Sequence, residues 1–489
     1  MSEPQYVTIS RFLGLKTVVA ADKLGLEEAA NLENIECSTD ELRVRDGYKR
    51  RRVARVDGTR PILGAWRVVK ASNLQAQELL HTRDKFWRFS GSAVASVTGA
   101  YVFTSGHAHT VIVYDNKVWG GNGVDTGWSY SFAAAKLKSD STPSQAFRYQ
   151  EAFEEKRVFG RGTTDKSRFE WTDEGAPTTR QALAFAFYPP DQSDDLTLMR
   201  ALNGEIILAS QWRLGKTVGG LPPRAIVDIH LGIGCVSHYS SAVLNGWLYF
   251  VGMAGRIYRT DGNAVEDAAL GLDTSDISIA TPRMLRGVAR DGRYYDLSYN
   301  SKAAGGTFPN RVLTYDSWRD RWYGPHVIGG AGKPGAWCEW RTPGDTGQIR
   351  GGTTSGYAAT WWSGNSDAGT TIVGIYKGPI FHAPSPTYLK LIDEMEIQGD
   401  DITSGTARIG LYLDRKASAS TVGSVALKAS GVVEGDRDDT TVTRTHLYVP
   451  RKATVNMTCR EYQPKIRLVG KGKPTVSRVV IKAKIIRSN

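Results

Sequence analysis

At 489 residues the chain is too long for one ordinary core, so two or three domains are expected, although a propeller absorbs about 300 residues as one unit. Its 41% hydrophobic and 23% charged composition excludes a disordered chain, and no apolar run approaches the roughly 18 residues of a membrane-spanning helix, so no membrane insertion is expected. The net charge of +12, unevenly spread, points to a polyanion or an acidic protein surface nearby.

Residues 1–60 read as an N-terminal arm. The opening MSEPQYVTISRF lacks a basic stretch followed by an apolar one, so no secretory signal is expected. Leu24, Leu26, Ala29 and Leu32 are spaced loosely as in a short helix or turn. In ELRVRDGYKR, Leu42 and Val44 alternate, Asp46-Gly47 is a turn dipeptide and Tyr48 resumes the strand, the pattern of a hairpin. The run RVRDGYKRRRVARVDGTR over 43–60 contains Lys49, Arg50, Arg51 and Arg52, candidate contacts to acidic groups. The arm is expected to close the ring of blades described next, or to dock on a neighbouring subunit.

Residues 61–370 carry a bladed rhythm. Aromatic-rich strand pairs close on glycine at KFWRFSG (85–91), VIVYDNKVWGGNG (111–123), RFEWTDEG (168–175), LYFVGMAGRIYRTDG (248–262), RVLTYDSWRDRWYG (311–324) and YAATWWSG (357–364). Closures recur every 30–60 residues or so, the range of propellers and solenoids. The expected fold class is all-β: a β-propeller of about six to eight blades. Residues 176–195 read as a long inter-blade connection or face loop.

Residues 371–489 change character: blade-closing aromatics vanish and apolar and polar residues alternate cleanly, the pattern of a C-terminal β-sandwich. In SRVVIKAKII, Val479, Ile481 and Ala483 form the core face, and Lys482 and Lys484 the other. With Lys465, Arg467, Lys471 and Lys473 they predict a shared cationic face for a polyanion or an acidic neighbour.

HExxH, GxSxG and Cys-His signatures are missing, and LGKT at 214–217 lacks the first glycine of a phosphate loop, with Ser210 in its place. Asp115, Asn116, Asn122 and Asp125 offer oxygens for calcium, but turn formation explains them equally well. His107 and His109 stand two apart, as a metal pair or an exposed polar strand. Cys37, Cys235, Cys338 and Cys459 are too scattered for a zinc site and read as free thiols. Neither cofactor nor metal is expected, and the chain does not read as an enzyme.

The order of these features resembles the β-propeller virion proteins of tailed bacteriophages, the group that contains podovirus tail nozzle proteins of the tail tubular protein B type. The resemblance rests on FLGL, then Ala30 to Asn34 and LRVRDGY in the arm, where members often read Leu-Arg-x-Arg-Pro-Gly-Tyr and this chain has Asp46 for Pro. It continues through IGCVSHYSSAVLNGWLYFVGMAGRIYRTDG (233–262), NRVLTYDSWRDRWYG and QPKIRLVGKGKPTVSRVVI. It implies a structural protein of the virion tail, made in the host cytoplasm. Its copies would assemble as a ring, a homohexamer in the podovirus nozzles, against portal, adaptor or other tail proteins, and DNA would be ejected through that ring. Cations facing the lumen would grip phosphates, so the basic faces are expected to meet protein partners. Two other readings stand beside it: a propeller module binding a receptor or glycan at the tail tip, and a propeller glycoside hydrolase.

Overall fold

The computed structural model describes residues 5–37, 41–70, 76–90, 93–99, 101–104, 106–306, 308–328, 332–340, 347–382, 389–400, 405–413, 420–427, 444–448, 458–459, 461–469 and 475–486. Among them the only helical elements are three single turns of 3-10 helix, His238–Ser240, Met253–Gly255 and Pro282–Met284. All other regular elements among them are strands.

Seven antiparallel sheets form a β-propeller. Blade 1 runs from Gly64–Val69 to Ala93–Ser96, blade 2 from Thr110–Tyr114 to Lys136–Asp140 and blade 3 from Phe147–Phe153 to Phe185–Phe187. Blade 4 runs from Leu198–Leu202 to Ala225–Leu231, blade 5 from Ala242–Leu244 to Val265–Asp267 and blade 6 from Arg286–Arg290 to Arg321–Val327. Blade 7 begins at Pro334–Trp340, which packs beside the first strand of blade 1 and closes the ring. In blades 2 to 5 the first two strands are joined by two-residue turns with both residues left-handed, Asp115-Asn116, Glu154-Glu155, Asn203-Gly204 and Asn245-Gly246. That geometry matches the right-handed twist of the flanking strands.

The blades adhere through their faces. Aromatic and aliphatic side chains fill the seams, as with Phe86, Phe103 and Trp128 between blades 1 and 2, or Tyr249, Tyr295 and Trp322 between blades 5 and 6. The seam between blades 2 and 3 is built around a charge. Arg157 is fully buried, lies 3.7 Å from the Trp119 ring centroid, and donates to Asp140 at 2.5 Å and to the Pro177 carbonyl at 2.7 Å.

The fourth strand of blade 7 comes from the arm. Tyr48–Arg50 pairs antiparallel with Ala358–Trp361. The expected arm hairpin does not form, because its two strands enter different sheets: Leu42–Val44 pairs with Ile35–Cys37 and Thr475–Val476. Nor is there a helix over 24–37, where short strands Glu28–Ala29, Asn31–Glu33 and Ile35–Cys37 find partners on other elements. Residues 176–195 are more than a connection, since Phe185–Phe187 is the outer strand of blade 3.

A two-sheet β-sandwich packs beside blade 6. One sheet holds Leu389–Asp400 and Arg478–Ile486, and the arm strand Gln5–Ile9 pairs with the latter. The other orders Val373–Lys377, Tyr462–Val469, Gly405–Leu413 and Ser420–Leu427, and reaches blade 6 through Asn31–Glu33. The shared core combines Ile9, Phe12 and Leu32 from the arm with Tyr376, Ile466, Leu468, Val479 and Ile481. Burying a large apolar side chain contributes about 1.5–3 kcal/mol. Deleting residues 1–20 removes Ile9 and Phe12 and should cost about 3–6 kcal/mol, read as a lower midpoint in thermal or urea unfolding. An unchanged midpoint would show that the sandwich does not depend on the arm.

One hub ties arm, blades and sandwich together. Arg45 is 1% exposed and forms a double hydrogen bond to Asp367, Nη1 to Oδ1 at 2.9 Å and Nη2 to Oδ2 at 2.6 Å. Its remaining donors meet Asn34 Oδ1 at 3.0 Å and the carbonyls of Asp46 and Val327 at 2.8 Å each. Asn34 also accepts from the Val327 amide and donates to the Val373 carbonyl. Beside them Gly47 passes so close to Ser366 that a Cβ would lie 2.0 Å from its carbonyl oxygen.

Candidate functional site

The loops leading into the first strands of the blades converge on one face of the ring, at its axis. Tyr239, in the turn before blade 5, donates its hydroxyl to the Ala108 carbonyl before blade 2 at 2.9 Å. Arg283, before blade 6, donates to the Gly106 carbonyl at 3.3 Å. Arg286 donates to the Leu63 carbonyl before blade 1 at 3.0 Å and lies over the Tyr239 ring. Blade 2 stands across the ring from blades 5 and 6, so the first two bonds bridge the axis on this face.

Beside this bridge lies a cavity of about 390 Å³. Arg148 enters it from the first strand of blade 3, Arg161 from the end of the second, and Arg283 from the loop before blade 6. Asp195 is the single carboxylate of the lining, and Arg161 Nη2 lies 2.6 Å from its Oδ2. Burial opposes the charge on Arg161, but Tyr149 and Asp195 hold it on, and its pKa is raised. Burial pulls the neighbouring Arg286 guanidinium down to about 10, so it too is charged at neutral pH. Beneath the floor Tyr149 stacks on His238 at 4.6 Å, and burial keeps that imidazole neutral. The arrangement offers converging N–H donors to an anion.

Sequence reasoning missed this site. Arg148, Arg161 and Arg283 come from three separate segments and share no motif. Their convergence depends on which blade ends face the axis.

The residues singled out in the sequence are dispersed. Lys49 and Arg50 are exposed on the closing strand of blade 7, with Arg50 over the Tyr357 ring, and Arg52 is half-buried beyond them. Arg51 faces inward, stacked on Phe89 and hydrogen-bonded to the buried Glu78 of blade 1. It is an internal partner, not a free contact, because its guanidinium is taken up by the Phe89 ring and the Glu78 carboxylate. Lys465 and Arg467 alternate with buried neighbours on one sheet of the sandwich, and Lys482 does so on the other. Both sheets turn their buried residues to the same core, so these cations lie on opposite outer faces and do not form the single face expected. Lys484 belongs to Arg478–Ile486, but its side chain, like Lys471 and Lys473, lies outside the described residues.

The other candidates also separate. Asp115 and Asn116 form a turn at one end of Lys117–Gly121, whereas Asn122 and Asp125 bond each other at the far end. His109 is buried, accepting from Trp128 Nε1 at 3.1 Å and 4.4 Å from the His81 ring rather than paired with His107. LGKT lies within a strand, Arg213–Val218, with Lys216 bonded to Glu205. Cys37 and Cys235 are buried free thiols, and Cys338 is half-buried. Among the described residues no group of three or more His, Cys, Asp and Glu is placed to hold a metal ion.

No protein-family model matches the chain, and no curated protein is similar to it. Among solved structures it is similar to a chain of a mitotic checkpoint complex, at 9% identity and a TM-score of 0.43, over 65% of this chain and 92% of that one. It is also similar to the computationally designed Ika8 protein, at 10% identity and a TM-score of 0.39, over 63% of this chain and 98% of that one. Both likenesses are of fold, and neither bears on function.

Proposed function

We propose that the chain is a structural protein of a tailed-phage virion, a subunit of an oligomeric ring in the tail nozzle or tube through which DNA is ejected. The observation that carries this reading is the arm. The residues that bear the resemblance, Asn34, Arg45, Gly47 and Tyr48, are those that bind blade 6, blade 7 and the sandwich to one another. A subunit braced in this way suits a part that must hold its shape under load. The bridged axis means that DNA would pass between subunits rather than through a propeller hole. Lys49 and Arg50, exposed on the blade 7 edge, would meet an acidic face of a neighbouring tail protein.

Native mass spectrometry with negative-stain imaging tests the proposal. The expected result is a closed ring of identical subunits, six by resemblance, that also adds to tail-less particles. A monomer at tens of micromolar that binds no particle would refute it.

A further inference from the structure

We propose that the axial cavity binds a small acidic carbohydrate, gripping its carboxylate or phosphate group with Arg148 and Arg283. Three guanidinium groups line the cavity against one carboxylate, and that carboxylate is already held by Arg161. Arg283 spends one N–H on the Gly106 carbonyl. Arg148 donates no side-chain hydrogen bond among the described residues, so its planar fork is available for two-point recognition of an oxyanion. A separate observation points the same way. Ser237 lines the cavity, is 4% exposed, and its hydroxyl finds no partner. Its oxygen is closed off as the side chain stands, so a ligand recovers the cost of the unpaired hydroxyl, about 1–3 kcal/mol, once the Ser237 side chain turns toward the cavity.

One residue of the cavity wall is also held in a strained conformation. Arg161 is left-handed at φ 59°, between Gly160 and Gly162, and so reaches Asp195 at the cavity wall. Such a conformation costs about 1–2 kcal/mol for a residue with a side chain and collects at binding sites. The size and the remaining lining define the body of the ligand. About 390 Å³ is far more than a bare oxyanion needs and lies within the range of small-molecule sites. Gln211 and Thr281 present polar side chains suited to sugar hydroxyls, and Tyr149 and Tyr239 supply flat apolar surface.

Calorimetric titration of the purified protein at low salt tests this, with glucuronate, glucose 6-phosphate, inorganic phosphate and glucose as probes. The acidic sugars should bind with a Kd below about 1 mM, and glucose should not. The tighter of the two acids identifies the source, a uronate or a sugar phosphate. Arg148→Met should weaken binding about tenfold or more and leave the melting temperature unchanged. If that variant fails to fold, Ser237→Ala decides, with about a fivefold loss expected. Equal binding of glucose, inorganic phosphate binding as tightly as the sugar phosphate, or parental affinity in the folded variants would each overturn the proposal. None of these outcomes concerns ring formation, so the virion reading stands or falls separately.

Discussion

Asp367→Ala should lower the unfolding free energy by about 3–5 kcal/mol, because it leaves the Arg45 guanidinium buried without its counter-charge. Arg45→Ala should do at least as much damage. It strands Asp367 and also removes the donors that satisfy Asn34 and the carbonyls of Asp46 and Val327. Arg45→Lys should fall close to the alanine variant, since one ammonium cannot reproduce a planar fork that meets four groups at once. The double change Arg45→Met with Asp367→Leu should recover part of the loss, because well-packed apolar pairs often replace buried ion pairs at little cost. Thermal and urea unfolding of the four variants give the order. A midpoint for Asp367→Ala equal to that of the parent would show that the hub does not hold the arm.

Acidification from pH 7 to pH 4.5 should unfold the protein or bring it to the edge of unfolding. Four imidazoles, His81, His109, His238 and His326, are buried. Burial, their main perturbation, pulls His109 and His326 down to about 3 and holds His81 and His238 well below the usual range. Their folded pKa values lie below the unfolded one, so the stability they contribute is present above about pH 6.5 and is lost as pH falls. Each loses about 1.4 kcal/mol per pH unit, so His109 and His326 alone account for about 5 kcal/mol at pH 4.5. Glu78 and Glu151, whose carboxyls burial pushes up, titrate in the opposite sense and offset part of this. The melting temperature should therefore fall steeply below pH 6, and His326→Gln should flatten the slope. A flat profile between pH 7 and pH 5 would contradict the burial of these rings.

The blades were legible because their strands advertise themselves locally. Aromatic residues closing on glycine mark blades 1, 2, 3, 5, 6 and 7. Blade 4 carries no aromatic residue in any of its four strands, and only its Asn203-Gly204 turn betrays it. Alternation within Tyr462–Val469 and Arg478–Ile486 was also readable, since it has a period of two. What alternation cannot say is which sheet a strand joins, and so Lys465 and Lys482 were wrongly placed on one face. The same non-locality hid the Thr475–Val476 partner of Leu42–Val44 and the Ala358–Trp361 partner of Tyr48–Arg50, which lie some 300 residues or more further along. The cavity arginines were least legible of all, because their meeting point is a property of the closed ring.

The pairing of the arm strands with strands far along the chain imposes a schedule on synthesis. After the strand Tyr48–Arg50 leaves the ribosome, its partner Ala358–Trp361 emerges roughly 300 residues later. At about 5–20 residues per second, that is an interval of roughly 15–60 seconds. Gln5–Ile9 waits longer still for Arg478–Ile486. Meanwhile Ile9, Phe12, Leu32 and Tyr48 have no core to enter, and the nascent arm carries exposed apolar strands. Early blades can pair hairpin by hairpin as they appear, but the ring cannot lock before Ala358–Trp361 is released, nor the sandwich before Arg478–Ile486. The ring and then the sandwich are thus sealed in two late steps, and a chain that stops short of Arg478–Ile486 leaves Gln5–Ile9 without its partner strand.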